Sequence, residues 1–100
     1  MQNSSAHIYN EFHDRAREVF FAFCNDLKHS TSMLDRRRDE NVFQQVQNKY
    51  TARLKHQLES IAMEILNRNE NQNNKSGSNH QISQFIIDYI NEFKQRTKSL

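Results

Sequence analysis

Proline is absent from this 100-residue chain, and glycine occurs once, at Gly77. All-β folds need turn residues every few positions, so a sandwich or barrel is nearly excluded. Dinucleotide- and phosphate-binding loops need several glycines beside one strand, and those are missing too. Tryptophan is absent. A single cysteine, Cys24, allows no internal disulfide and fits a reducing compartment such as cytosol or nucleus. The first residues, Met1-Gln2-Asn3-Ser4-Ser5, offer neither a basic start nor an apolar core, so no signal peptide is expected. The longest apolar run is Val19 to Cys24, far short of the about 20 residues that a membrane helix needs.

What is present is helix-forming and polar. Asparagine and glutamine number 12 and 9, and the mean hydropathy is −1.01. Seven phenylalanines supply most of the aromatic content. Fourteen basic against 12 acidic side chains leave a net charge of +2, weaker than the concentrated positive face of a nucleic-acid binder.

Three segments carry apolar residues at helical spacing, predicting helices over about 6–29, 40–69 and 81–98. In the first, Ile8, Phe12, Ala16, Val19, Phe20, Phe23 and Leu27 form one stripe, with Phe21 at its edge or beyond. The hydroxyl run Ser30-Thr31-Ser32 suits a helix end. The second helix starts near Ser32 or near Asp39, and the later start is favoured. Its stripe, Phe43, Val46, Tyr50, Leu54, Leu58, Ile61 and Ile65, approaches a heptad seam, with Gln47 and Gln57 as polar interruptions compatible with a hetero-assembly. Residues 70–80 are Asn-rich and devoid of apolar side chains, and are expected to form a flexible loop. Ser78 and Gln81 have the spacing of a capping box at the start of the third helix. There the stripe is Ile82, Phe85, Ile86, Tyr89, Ile90 and Phe93, and Ile87 falls off it.

Chemistry is harder to nominate. None of the five histidines, His7, His13, His29, His56 and His80, forms an i,i+4 zinc pair, and Cys24 has no second cysteine beside it. These read as surface or helix-edge histidines and a small core cysteine. No nucleophile or paired-carboxylate arrangement stands out, so no enzyme, metal or cofactor is expected. Arg36-Arg37-Arg38 is the densest positive cluster and has the charge to grip phosphate or an acidic peptide. Its flanking Asp35, Asp39 and Glu40 equally suit a solvated connection between helices. The apolar stripes are wide, and Phe21, Leu34 and Ile87 lie outside them. We read that surplus as a partner face, the alternative being edge residues of a self-contained core.

The order of elements from about Phe12 to Phe93 resembles the Nnf-type (polyamine-modulated factor) subunit of the kinetochore MIND complex. The resemblance is carried by Val19-Phe20-Phe21-Ala22-Phe23, by Tyr50, Leu54 and Leu58 followed by Ile61-Ala62-Met63-Glu64-Ile65 and the acidic Asn69-Glu70, and by Ile86-Ile87-Asp88. The Asn-rich stretch at 71–79 departs from the family's tighter connection. The resemblance implies the N-terminal head of a rod-shaped scaffold in the nucleus, at the centromere. There it would pair with a sister helical subunit in a four-helix head, with centromere protein C as a further partner and the third helix continuing into a coiled coil past Leu100. It also implies a hairpin and sister-subunit core of Phe20, Phe23, Tyr50, Leu54, Leu58 and Ile61.

The expectation is therefore an all-α chain, an antiparallel helical hairpin plus a third helix, closed as a three-helix bundle or as part of a four-helix head. It would act as a non-catalytic assembly module. The candidate partner-binding residues are Phe21, Leu34, Arg36, Arg37, Arg38, Phe43, Tyr50 and Ile87. The runner-up is a nucleic-acid-associated adaptor using the arginine cluster and basic tail. A membrane partner is not expected, and nucleic acid is disfavoured.

Overall fold

The computed structural model describes residues 4–35, 37–68 and 75–98, with side chains described from His7 onward and, in the last helix, from His80. The chain is all-α. Helix α1 spans Ser4–Ser30, α2 Glu40–Arg68 and α3 Lys75–Lys98. The apolar stripe of each faces the other two, giving a three-helix bundle.

Directions follow from which side chains meet. Glu11 pairs with Arg68, Arg15 with Glu64, and Phe23 lies against Tyr50, so α2 runs antiparallel to α1. Tyr9 meets Phe85 and Phe20 meets Phe93, so α3 runs parallel to α1. Gln47 near the start of α2 reaches Thr97 near the end of α3. The core comprises Ile8, Phe12, Ala16, Phe20 and Leu27 from α1, Leu54, Leu58, Ile61, Ala62, Ile65 and Leu66 from α2, and Ile82, Ile86 and Phe93 from α3. The bundle is elongated, 55 × 18 × 17 Å, with a radius of gyration of 16.0 Å. A spherical domain of this length would have about 13 Å.

The hydroxyl run ends α1 as expected. Thr31 donates both its amide and its hydroxyl to Leu27 O, at 3.0 and 2.8 Å, and the Ser32 hydroxyl donates to His29 O at 3.0 Å. These bonds satisfy carbonyls that the helix end would otherwise leave open. Two aspartates then set the entry to α2. Asp35 Oδ1 accepts from the amides of Arg37 and Arg38, while Asp39 Oδ2 accepts from the Asp35 amide. Phe43 N donates to Asp39 O at 2.9 Å, so the later of the two anticipated starts is the one adopted.

Two expectations are corrected. First, α3 begins at Lys75, not at Gln81, so part of the anticipated flexible loop is helical and the Ser78–Gln81 pair falls inside the helix. The remainder of that loop, 70–74, and the Asn69-Glu70 pair lie outside the described residues. The reason is cooperativity. Asn, Ser and Gly disfavour helix by about 0.5–1 kcal/mol each. Once Ile82 and Ile86 are anchored in the core, however, each upstream residue adds a backbone hydrogen bond without a new nucleation step. Second, Gln47 does not await a partner chain. It is buried within the bundle, and its Nε2 donates to Thr97 Oγ1 at 2.8 Å.

Candidate protein-docking face

The eight nominated residues do not converge on one surface. Phe43 is a correction: at 2% exposure it is buried in the first turn of α2, because α3 returns far enough to cover that end of the hairpin. Tyr50 is half-buried and occupied within the chain, its hydroxyl 2.8 Å from Ser30 Oγ and its ring edge-on to Phe23. Leu34 is half-buried in the α1–α2 connection. Arg36 lies outside the described residues. Arg37 and Arg38 are exposed, and Arg38 Nε lies 3.8 Å from Asp39 Oδ1, so the surrounding acids do temper the cluster. Ile87 is 52% exposed, and Phe21 is 47% exposed. Ile87 precedes Arg96 by nine residues, which at 100° per residue puts the two on opposite sides of α3. Arg96 covers Phe21, so Phe21 and Ile87 belong to different faces.

The face between α1 and α3 is the more organised. Its floor is a ladder of rings. Tyr9 is edge-on to Phe85 at 5.5 Å between centroids, His13 tilts against Phe85 at 4.4 Å, and Phe20 lies 5.7 Å from Tyr89. His13 Nδ1 and Tyr89 Oη are 2.9 Å apart, a hydrogen bond that ties the two helices. Burial, with Arg17 adding to it, depresses the His13 pKa below 6.5 against the opposing pull of Asp14. The ring is therefore neutral at pH 7. Burial also raises the Tyr89 phenol and the Cys24 thiol above their ordinary values, so both stay protonated. A protonated, half-buried thiol is a poor nucleophile.

Between these rings and the acidic side of α3 lies a shallow groove of about 260 Å³, lined by His13, Phe85, Asp88, Tyr89 and Glu92. Further along the face, Arg96 Cζ stands 5.6 Å over the ring of Phe20 and 5.5 Å over that of Phe21, while its Nε donates to Glu92 at 2.8 Å. Phe21 is thus held in place at the end of the face by the edge of Phe20 and by a guanidinium.

Sequence reasoning singled out Phe21 because it broke the stripe of α1. It missed His13, Phe85 and Tyr89 as a unit, since their meeting depends on the register between α1 and α3, which no spacing within either helix reveals. It also missed Met63, 65% exposed, and Val42, whose apolar character alone gives no sign of facing water. Among the described residues, no group of three or more His, Cys, Asp or Glu side chains gathers to hold a metal ion, and no helix is long and apolar enough to cross a membrane. Compared with known proteins, the chain matches no family model, no curated protein and no solved structure.

Proposed function

We propose that the chain is a non-catalytic assembly module that docks a helical protein partner on its α1–α3 face. The observation that carries this reading is Phe21, a large ring left half in water yet fixed by Phe20 and Arg96 at the end of an aromatic ladder. Fixed aromatic anchors are the residues that dominate interface energetics, because little side-chain entropy remains to be lost on binding. In its specific form, the partner is the sister subunit of a kinetochore head, and the assembly lies in the nucleus on the path from centromere protein C to the outer kinetochore. That form is supported by the resemblance in element order. The hairpin stripe of Leu54, Leu58 and Ile61 is spent on the chain's own α1 and α3, so the sister subunit would meet the outside of a closed bundle and not complete an open one.

The test is light scattering of the purified chain alone and mixed with the sister subunit. The expected result is a one-to-one complex. Phe21→Asp leaves the helical circular dichroism intact and weakens that complex by about 30-fold or more, the loss of an anchor worth about 2 kcal/mol. Weak dependence on salt is expected, since steep dependence would mark phosphate contacts by the arginine cluster instead. A sister subunit that does not bind, or Phe21→Asp binding as the parent does, overturns the proposal.

A further inference from the structure

A carboxylate, aromatic faces and a guanidinium already form one unit on this face. Glu92 accepts from Arg96, whose Cζ stands within 5.6 Å of the ring centres of both Phe20 and Phe21. One helical turn earlier in α3 the same parts recur without the guanidinium. Asp88, four residues before Glu92, accepts from the Gln84 side-chain amide at 3.2 Å, and among the described residues no cation pairs with it. Beside it stand the rings of His13, Phe85 and Tyr89, with His13 at 4.4 and 5.8 Å from the other two. They leave the groove of about 260 Å³ open to solvent.

We propose that this groove receives an arginine side chain of the protein partner, the guanidinium lying against the rings of Phe85, Tyr89 and His13 and pairing with Asp88. The inference rests on the docking reading and names what the partner must present. Size decides against a whole cofactor, for which sites run to about 300–1,000 Å³. The room suits one long side chain. Charge decides the sign. Asp14, Asp88 and Glu92 face Arg17 and Arg96 here, and both arginines are engaged, Arg17 with Asp14 at 3.0 Å and Arg96 with Glu92. With His13 neutral, the surplus is one negative charge, at Asp88. Arginine fits better than lysine because a planar, weakly hydrated guanidinium stacks on rings while it pairs with a carboxylate.

The probe is acetyl-arginine-amide, titrated into the full chain at low salt while the ring protons of His13, Phe85 and Tyr89 are followed by NMR. A saturable shift is expected with a dissociation constant on the order of tens of millimolar. Acetyl-citrulline-amide, equal in shape but uncharged, should give none. Asp88→Asn should weaken binding about three- to five-fold, the effect of losing one exposed charge pair. Equal shifts from citrulline, no saturable shift, or unchanged affinity in Asp88→Asn overturns the proposal. Phe21→Asp should leave this titration unchanged while weakening assembly with the sister subunit, so the subsite and the docking reading fail by different results.

Discussion

His13 occupies a position on α1 where a wholly apolar ring would also fit, wedged against Phe85 and bonded to Tyr89. Its titration should be visible in stability. Burial first, and Arg17 second, lower its folded pKa beneath 6.5, with Asp14 opposing. Between that lowered value and 6.5 the unfolded chain holds the extra proton, so stability rises with pH across the interval. The contribution is fully present above 6.5 and is lost as the pH falls toward the folded value, where both states are protonated. Urea unfolding from pH 7.5 down to 4.5 should show this component in the parent chain. His13→Phe should lack it, and an identical pH profile in the two proteins would contradict the account. The buried pair of Gln47 and Thr97 follows a different logic. The Thr97 hydroxyl donates to Phe93 O at 2.7 Å while accepting from Gln47, so neither polar group is left unpaired in the core.

At the scale of elements, much was legible in the sequence. The stripes of α1 and α2 were plain because each is long and sustained at three- and four-residue spacing. The end of α1 was legible in Ser30-Thr31-Ser32 because hydroxyls there have carbonyls to satisfy. The start of α3 was not, because residues 75–80 carry no apolar side chain to signal a helix and owe their conformation to what Ile82 and Ile86 bury downstream. Nor were the burial of Phe43 or the bond between Gln47 and Thr97, since both depend on how far α3 returns along α2. The early start of α3 is testable at Gly77, which the helix passes through. Alanine loses less backbone entropy than glycine in a helix, so Gly77→Ala should stabilise the chain by about 0.5–1 kcal/mol. It should also raise amide protection over 75–80. Lower stability, or protection that begins only at Gln81, would place the helix start where the capping pair suggested.

At the scale of the molecule, the question is whether the apolar surface compels company. The rings of Phe12, Phe43 and Phe93 and the branched side chains of Leu54, Leu58, Ile65 and Ile82 are all closed off within one chain. What remains outside among the described residues is Phe21, Met33, Val42, Met63 and Ile87, and of these Phe21 and Ile87 lie on different faces. Scattered exposure of this kind is ordinary for a folded monomer. The accessible surface of 6830 Å² exceeds the about 6,000 Å² typical of a 12 kDa protein, and elongation accounts for the excess without an open core. The proposed docking is therefore one of a finished bundle and not a condition of its folding. It follows that the purified chain should be a monomer that unfolds in one cooperative transition, with helical and aromatic circular dichroism lost together. Small-angle scattering should return a radius of gyration near 16.0 Å, well above the about 13 Å of a sphere of equal length. Helix that forms only on mixing with a partner, or an aromatic signal absent until then, would mean that the three helices cannot close by themselves and that α3 is released from α1 before assembly.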